Sequence, residues 1–545
     1  MKSFLQENKL SLVFVTLAIL ALDLFFYWNT LEDSQITFRY SLRLYEGYEY
    51  GMWNRTGKPV EGFTTTIWML YLSLFGSSLD TMTHAAKITS ISLHAALTWF
   101  FLFLSHKQKT ADLAINIFPG REGAAAQAFK MTGIGLAILL PLSWYATTGM
   151  ETVLFATMAS LCLFLPLITR NILLIVVANT VLLLTRPDGF LFAFATSLFY
   201  FACTRDRKFI ASLVATCLAL AALMTFRYFY FGYILPNTYY AKSSNPIPHL
   251  HYINGIKYIA SFVASNFLIF APIVFFTFRL AIRPTVDQLI KERGFLAMIA
   301  GVSAYLLLIA KAGGDNYSAF PMWRHGLQVF PLILFACFYA LNSLNFRSKA
   351  IQYIVLAYLF TAPVLFTTPP TQAAFLRGQI RKSVDNHYAL TNYAHGTEFF
   401  VWMRNVFGKD AVIATPLAGA LPLHVDAVHI DTLGLNDEYI AHHGTFDSKG
   451  PVDSKTDMAY VLSQKPDVIE GYMPASKILN GDFHAALLPR LKMNLELVNN
   501  PKFKSDYVII KNAPYQYFDR ILFVKKSYLP QISNRRIETI GLEQL

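Results

Sequence analysis

Residues 10–28 read LSLVFVTLAILALDLFFYW, with Asp23 the one charged residue among them. A helix rising ~1.5 Å per residue needs about 20 mostly apolar residues to cross ~30 Å of hydrocarbon. The run is too long for the apolar part of a cleaved signal peptide, and Asn29-Thr30-Leu31 is a poor cleavage site. It reads as a retained anchor. Lys2 and Lys9 before it place the N-terminus on the cytoplasmic side.

The rest of the chain repeats this pattern. Only 15% of the 545 residues are charged and 54% are hydrophobic, where a soluble chain carries about 25% charged residues. Further apolar runs cover His84–Leu104, Met131–Ala146, Val153–Ile168, Asn171–Leu184, Phe190–Ala202 and Phe209–Phe229. Others cover Ile256–Phe278, Phe295–Ala310, Leu327–Leu344 and Ile351–Phe366. With the anchor they predict a polytopic α-helical membrane protein of about eleven spans. Ile67–Phe75 is too short to span and reads as an interfacial helix. If it crossed, every basic loop after it would lie outside. The net charge of +12 falls largely in short loops between spans, as the positive-inside rule requires, and not in a nucleic-acid-binding patch. Cys162, Cys203, Cys217 and Cys337 sit in apolar segments without metal-ligand spacing, which points to packing. No cofactor motif is present, no metal site is assigned, and a need for a divalent metal is left open.

Alternation of the spans sends the motif-like connections and the C-terminal region to the outer face. The membrane domain covers residues 1–368, with a first outer loop at 30–66. After Pro369-Pro370 the apolar runs shrink to strand length, at Ala411–Ala414, Val428–Ile430, Val468–Ile469, Tyr507–Ile510 and Ile521–Val524. Residues 371–545 therefore predict a small α/β domain on the outer side.

The outer connections hold the candidate chemistry. Glu32 and Asp33, followed by Arg39, Tyr40 and Arg43, offer either a proton-accepting site or acids capping a helix N-terminus. Glu61 stands before Gly62 and three threonines, which fit either a close-approaching ligand or a helix cap. Arg186-Pro187-Asp188-Gly189 is a charged turn whose Arg186 is a candidate for the donor phosphate, or an interfacial ion pair. Asn237, Tyr239, Tyr240 and Lys242 suit a sugar and a phosphate, or an aromatic belt. Lys311, Asp315, Arg324 and His325 bracket one outer loop and fit a lipid phosphate, or cations reaching for headgroups. Asp23 is either functional or faces a polar neighbour inside the membrane. Walker, dinucleotide, zinc-protease and serine-hydrolase motifs are missing from the sequence.

Taken in order, these segments resemble a known group. Ile36-Thr37-Phe38-Arg39-Tyr40, Trp53-Asn54, Val60-Glu61-Gly62-Phe63-Thr64-Thr65, Thr148-Gly149-Met150-Glu151-Thr152, Arg186-Pro187-Asp188-Gly189, Leu235–Lys242, Gly313-Gly314-Asp315 and Asp431–Asp437 follow the pattern of GT-C fold arabinofuranosyltransferases. The mycobacterial terminal arabinofuranosyltransferases and the bacterial pilin arabinosyltransferases are the nearest types. The resemblance implies a polyprenyl-phosphate sugar donor, a glycan or protein acceptor such as pilin, and an active site on the outer face of a bacterial inner membrane. It also implies that Asp33, with Glu32 beside it, is catalytic. Thr65-Thr66 stands where the pattern has Ser-Pro, and Trp323 precedes Arg324, so the sugar and the acceptor stay open. Two other classes compete. A lipid transporter would carry its polar groups at mid-membrane on broken helices, and a scaffold protein would need no acidic outer loop.

Overall fold

The computed structural model describes residues 2–242, 248–282, 284–314, 323–344, 349–365, 394–446, 455–482, 484, 487, 491–514 and 521–542. Its helices begin with α1 (Lys2–Phe25), α2 (Glu32–Tyr45), α3 (Thr66–Ser73), α4 (Leu79–Lys109), α5 (Glu122–Ala137) and α6 (Leu140–Ala146). There follow α7 (Thr152–Ile168), α8 (Ile172–Thr185), α9 (Phe190–Thr204), α10 (Lys208–Phe231), α11 (Asn237–Lys242) and α12 (Pro248–Ser265). The helical part closes with α13 (Phe267–Ile282), α14 (Val286–Lys291), α15 (Arg293–Lys311), α16 (Arg324–Ser343) and α17 (Lys349–Leu365). Two compact units divide the chain: Met1–Asn29, His84–Leu223 and Ile247–Tyr388 form the first, and Thr30–Thr83, Met224–Pro246 and Ala389–Leu545 the second.

The first unit is a helical bundle. Its central helix, α16, is buried almost throughout, against α5, α7, α13 and α15, and is largely apolar beyond the Arg324, His325 and Gln328 of its first turns. An aromatic cluster fills the contact, with the Phe129 and Phe335 rings 4.4 Å apart. Glu292 is fully buried beneath it and accepts hydrogen bonds from Arg121 and Tyr339, each at 2.7 Å.

Among the described residues, 5 helices are long and apolar enough to cross a membrane, or 7 if each bent pair counts as one span. The sequence expects about eleven. Part of the difference is length, since α7, α8, the 15-residue α9 and Ala350–Thr361 are shorter than a full span. The rest is bending. The run at 131–146 is two helices, α5 and α6, meeting at 59°. The run at 256–278 is likewise divided between α12 and α13, bent by 96°. Pro141, at the start of α6, explains the first break: it has no N–H for the preceding turn and its ring crowds that turn. The short apolar run at 67–75 contains α3, of 8 residues.

The second unit is built around a six-stranded mixed sheet. Its strands are β1 (Val412–Thr415), β2 (Val428–Asp431), β5 (Val468–Gly471), β6 (Tyr507–Ile510), β7 (Ile521–Lys525) and β8 (Thr539–Ile540), while β3 (Thr445–Phe446) and β4 (Lys455–Thr456) form a separate hairpin. The order is β2-β1-β5-β7-β6-β8. β1 pairs in parallel with β2 and β5, and the remaining pairs are antiparallel. Each strand-length run read from the sequence falls on one of these strands. Side chains alternate across the sheet. Ile413, Val468, Leu522 and Val524 enter one apolar core, and Ala414, Ile469, Ile521 and Phe523 the other. Both faces are covered, so most strand residues are apolar on either side, with His429 and Asp431 of β2 and Glu470 of β5 among the buried exceptions.

Candidate functional site

In the second unit the first outer loop and the loops of the sheet interlock. Glu32 and Asp33 occupy the first turn of α2, where carboxylates favour the positive end of the helix dipole. The two acids differ in their surroundings. Glu32 Oε1 accepts from the backbone N–H of Gly419 at 2.7 Å and of Ala420 at 3.2 Å, and so caps the short helix Ala420–His424. A side chain at Gly419 would come within 2.5 Å of the Glu32 carbonyl oxygen, so glycine permits that approach. Asp33 is half-buried beside it.

Further along α2, Tyr40 donates to Asn436 Oδ1 at 2.8 Å and accepts from the Gly62 N–H at 3.1 Å. Asn436 is held in turn by Asp431, whose two oxygens accept from the Leu433 N–H, the Asn436 N–H and the Asn436 side chain. Burial holds the Asp431 carboxyl up at about 6 against the pull of these donors. A Cβ at Gly62 would stand 1.9 Å from Asn436 Oδ1, so this junction excludes any larger residue.

Glu61, the next residue back, is buried and makes a bidentate pair with Arg227, with Nε and Nη2 each donating at 2.7 Å. Burial raises the Glu61 carboxyl above its ordinary value, against the pull of Arg227. The Glu61 carbonyl accepts from the Asn237 N–H at 3.0 Å, and the Asn237 side chain donates to the carbonyls of Gly434 and Leu435 at 2.9 Å. Asn237 thus ties the 431–437 loop to the Glu61 loop. Tyr240 packs on His442 with ring centroids 4.4 Å apart, while Tyr239 and Lys242 on the same short helix are exposed.

Arg39 is buried in α2 and donates through Nε to the Trp53 carbonyl at 2.9 Å. Burial, and then the like charge of Arg43, pull its guanidinium down to about 9. Beside it, His429 lies 2% exposed and its Nε2 is 2.7 Å from the Val425 carbonyl. Burial and the Arg39 charge press the imidazole down to about 3. For a histidine lowered on folding, stability is full above its ordinary value near pH 6.5 and is lost progressively as the pH falls from there to the folded value, a range in which only the unfolded chain binds the proton. Detergent-purified protein should therefore lose about 1.4 kcal/mol per pH unit from this residue below pH ~6.5. Thermal unfolding at pH 7 and pH 5 measures it, and His429→Gln, which keeps an amide donor toward Val425, should flatten the difference.

The first unit carries a second polar cluster. Arg186 caps α8 and pairs with Glu151 at 3.2 Å and with Asp188 at 3.2 Å. Burial works against its charge, but Asp188 and then Glu151 outweigh this and raise its pKa, with Arg324 opposing. Tyr305 connects Asp188, at 3.5 Å, to Gln328 Oε1, and His325 Nδ1 reaches the same oxygen at 3.1 Å. Arg324 and His325 open α16 and are nearly buried. Of the residues expected at a phosphate site, Arg186, Arg324 and His325 thus share one cluster. Lys311 is exposed at the end of α15, Lys242 belongs to the other unit, and Asp315 lies outside the described residues.

Arg227, Tyr305, Gln328 and His429 were not singled out from the sequence. Arg227 and Gln328 had a signal, since each is a polar residue inside an apolar run. Tyr305 had none, because tyrosine is ordinary in such a run.

Solved structures of similar fold include two of ArnT from Cupriavidus metallidurans. The form bound to undecaprenyl phosphate matches with a TM-score of 0.54 and 13% identity, covering 95% of this chain and 98% of that one. The apo form matches with a TM-score of 0.52 and 12% identity over the same shares. A family described as a domain of unknown function (DUF8728) matches residues 380–527. No curated protein matches the chain.

Proposed function

We propose that this chain is a membrane glycosyltransferase that moves a sugar, arabinofuranose, from a polyprenyl-phosphate donor to a glycan or protein acceptor outside the cytoplasm. The observation that carries the reading is the cluster of Arg186, Arg324 and His325 around Asp188, Tyr305 and Gln328, in a chain sharing its fold with a protein solved with undecaprenyl phosphate. As the glycosidic bond breaks, negative charge grows on the departing phosphate. Fixed cations and N–H donors in a partly dry setting stabilise such charge strongly. Arg186, Arg324 and His325 are assigned that role, and the exposed Lys311 and Lys242 keep it on their chemistry. Asp33 is the base that takes the acceptor hydroxyl's proton, while Glu32, already occupied as a helix cap, shapes its surroundings. Arg39, Tyr40, Glu61, Asn237, Tyr239 and Tyr240, and by its chemistry Asp315, are assigned to the sugar and the acceptor. About eleven spans, an outer α/β domain at 371–545 and a bacterial inner-membrane location belong to the same reading.

The lipid half of the proposal is tested by native mass spectrometry of the purified chain with undecaprenyl phosphate. Binding is expected, and Arg324→Ala should weaken it about tenfold or more, because charge-assisted hydrogen bonds of this kind contribute about 1.5–3 kcal/mol. Equal binding by the variant would remove Arg324 from the phosphate site.

A further inference from the structure

Asp23 is wholly buried in α1, and its Oδ2 lies 3.1 Å from His94 Nδ1 in α4. His94 is equally buried, and its Nε2 is 2.9 Å from the Leu136 carbonyl oxygen. A carbonyl only accepts, so Nε2 carries the hydrogen. One proton then lies between Nδ1 and the carboxyl group, giving either imidazolium beside carboxylate or imidazole accepting from a carboxylic acid. Asp23 Oδ1 has no hydrogen-bond partner among the described residues, so the hold on the ring runs through Oδ2.

The Leu136 carbonyl is where the bent span parts. α5 ends at Ala137, Leu139 is extended, and α6 starts at Leu140 with Pro141 behind it. A helix end leaves carbonyls in want of donors. The Leu139 N–H reaches Leu136 O at 3.2 Å, and His94 supplies a second donor. α6 packs against α1 and α7 and leads through residues 147–150 to Glu151, the partner of Arg186. Neutral groups suffice to join helices in this unit, as where Asn179 donates to Ser197 and Ser212. An ionisable pair within a span is a costlier device and calls for a sharper role.

We infer that Asp23 is a positioning residue: it fixes the His94 tautomer so that the ring holds the break between α5 and α6, and so sets the half-helix that carries the chain to Glu151. Only the choice of Glu151 as the thing positioned rests on the proposed function. The test therefore reads structure, not transfer. Hydrogen exchange by mass spectrometry compares the full chain with Asp23→Asn and Asp23→Leu. The asparagine amide can donate to Nδ1 and keep the tautomer, so exchange over residues 136–151 should stay within about twofold of the parent. Leucine leaves Nδ1 unpartnered, and exchange there should rise roughly tenfold while the rest of the first unit is unchanged. Equal exchange in all three, or equal damage by both variants, overturns the inference. Nitrogen-15 NMR of histidine-labelled parent protein decides it independently of how Asp23→Leu folds. The His94 signal, assigned by its loss in His94→Gln, should show a protonated Nε2, and a bare Nε2 overturns the inference.

Discussion

Arg227→Met should destabilise the second unit by about 3–5 kcal/mol, the usual cost of leaving one half of a buried ion pair unpaired. Glu61 is 3% exposed and receives both of its 2.7 Å hydrogen bonds from this guanidinium. Its backbone carbonyl accepts from Asn237, whose side chain holds the Gly434 and Leu435 carbonyls. Disturbing Glu61 should therefore loosen residues 431–441 as well as 60–66. The double variant Glu61→Leu/Arg227→Met removes both charges and should recover most of the loss, since an apolar pair of similar volume is often as stable as a buried salt bridge. Thermal unfolding in detergent measures both variants. Parent-like stability of Arg227→Met would show that the pair does not hold the loop.

Asp33→Asn should lower sugar transfer about 10²- to 10⁴-fold, the usual contribution of a positioned general base, while undecaprenyl phosphate still binds. Glu32→Gln should behave differently. It weakens the acceptor for the Gly419 and Ala420 N–H groups and should cost about 1–2 kcal/mol of stability, with a much smaller loss of transfer. The pair of variants thus separates the helix cap from the base. Parent-like turnover in Asp33→Asn would take that residue out of the mechanism.

Much of the fold could be read from the chain because its elements are set by local apolar length. The strand-length runs at 411–414, 428–430, 468–469, 507–510 and 521–524 are continuous because both faces of the sheet are covered, and each falls on a strand. The bends were harder. Pro141 stands at the start of α6 beside a break, yet Pro166, Pro272 and Pro331 sit inside α7, α13 and α16, so proline alone does not mark one. The site was legible as a set of segments and not as a set of contacts. The first outer loop and residues 235–242 were marked by their side chains, and the 431–437 loop by the resemblance. Their mutual hydrogen bonds, from Tyr40 to Asn436 and from Asn237 to Gly434, join residues about 200 to 400 positions apart and follow no local rule. Glu32 and Asp33 are neighbouring acids in the sequence, and only the approach of Gly419 and Ala420 shows Glu32 acting as a helix cap.

Transfer itself is the most direct measurement. Membranes enriched in this chain are supplied with polyprenyl-phosphate arabinofuranose labelled in the sugar, and label is followed in the lipid, in the acceptor fraction and across the bilayer. The account expects label to leave the lipid for a glycan or protein acceptor, with polyprenyl phosphate released, and expects membranes carrying Asp33→Asn to fall to background. Movement of the intact lipid across the bilayer with no cleavage of its sugar would contradict the account and leave the chain a transporter.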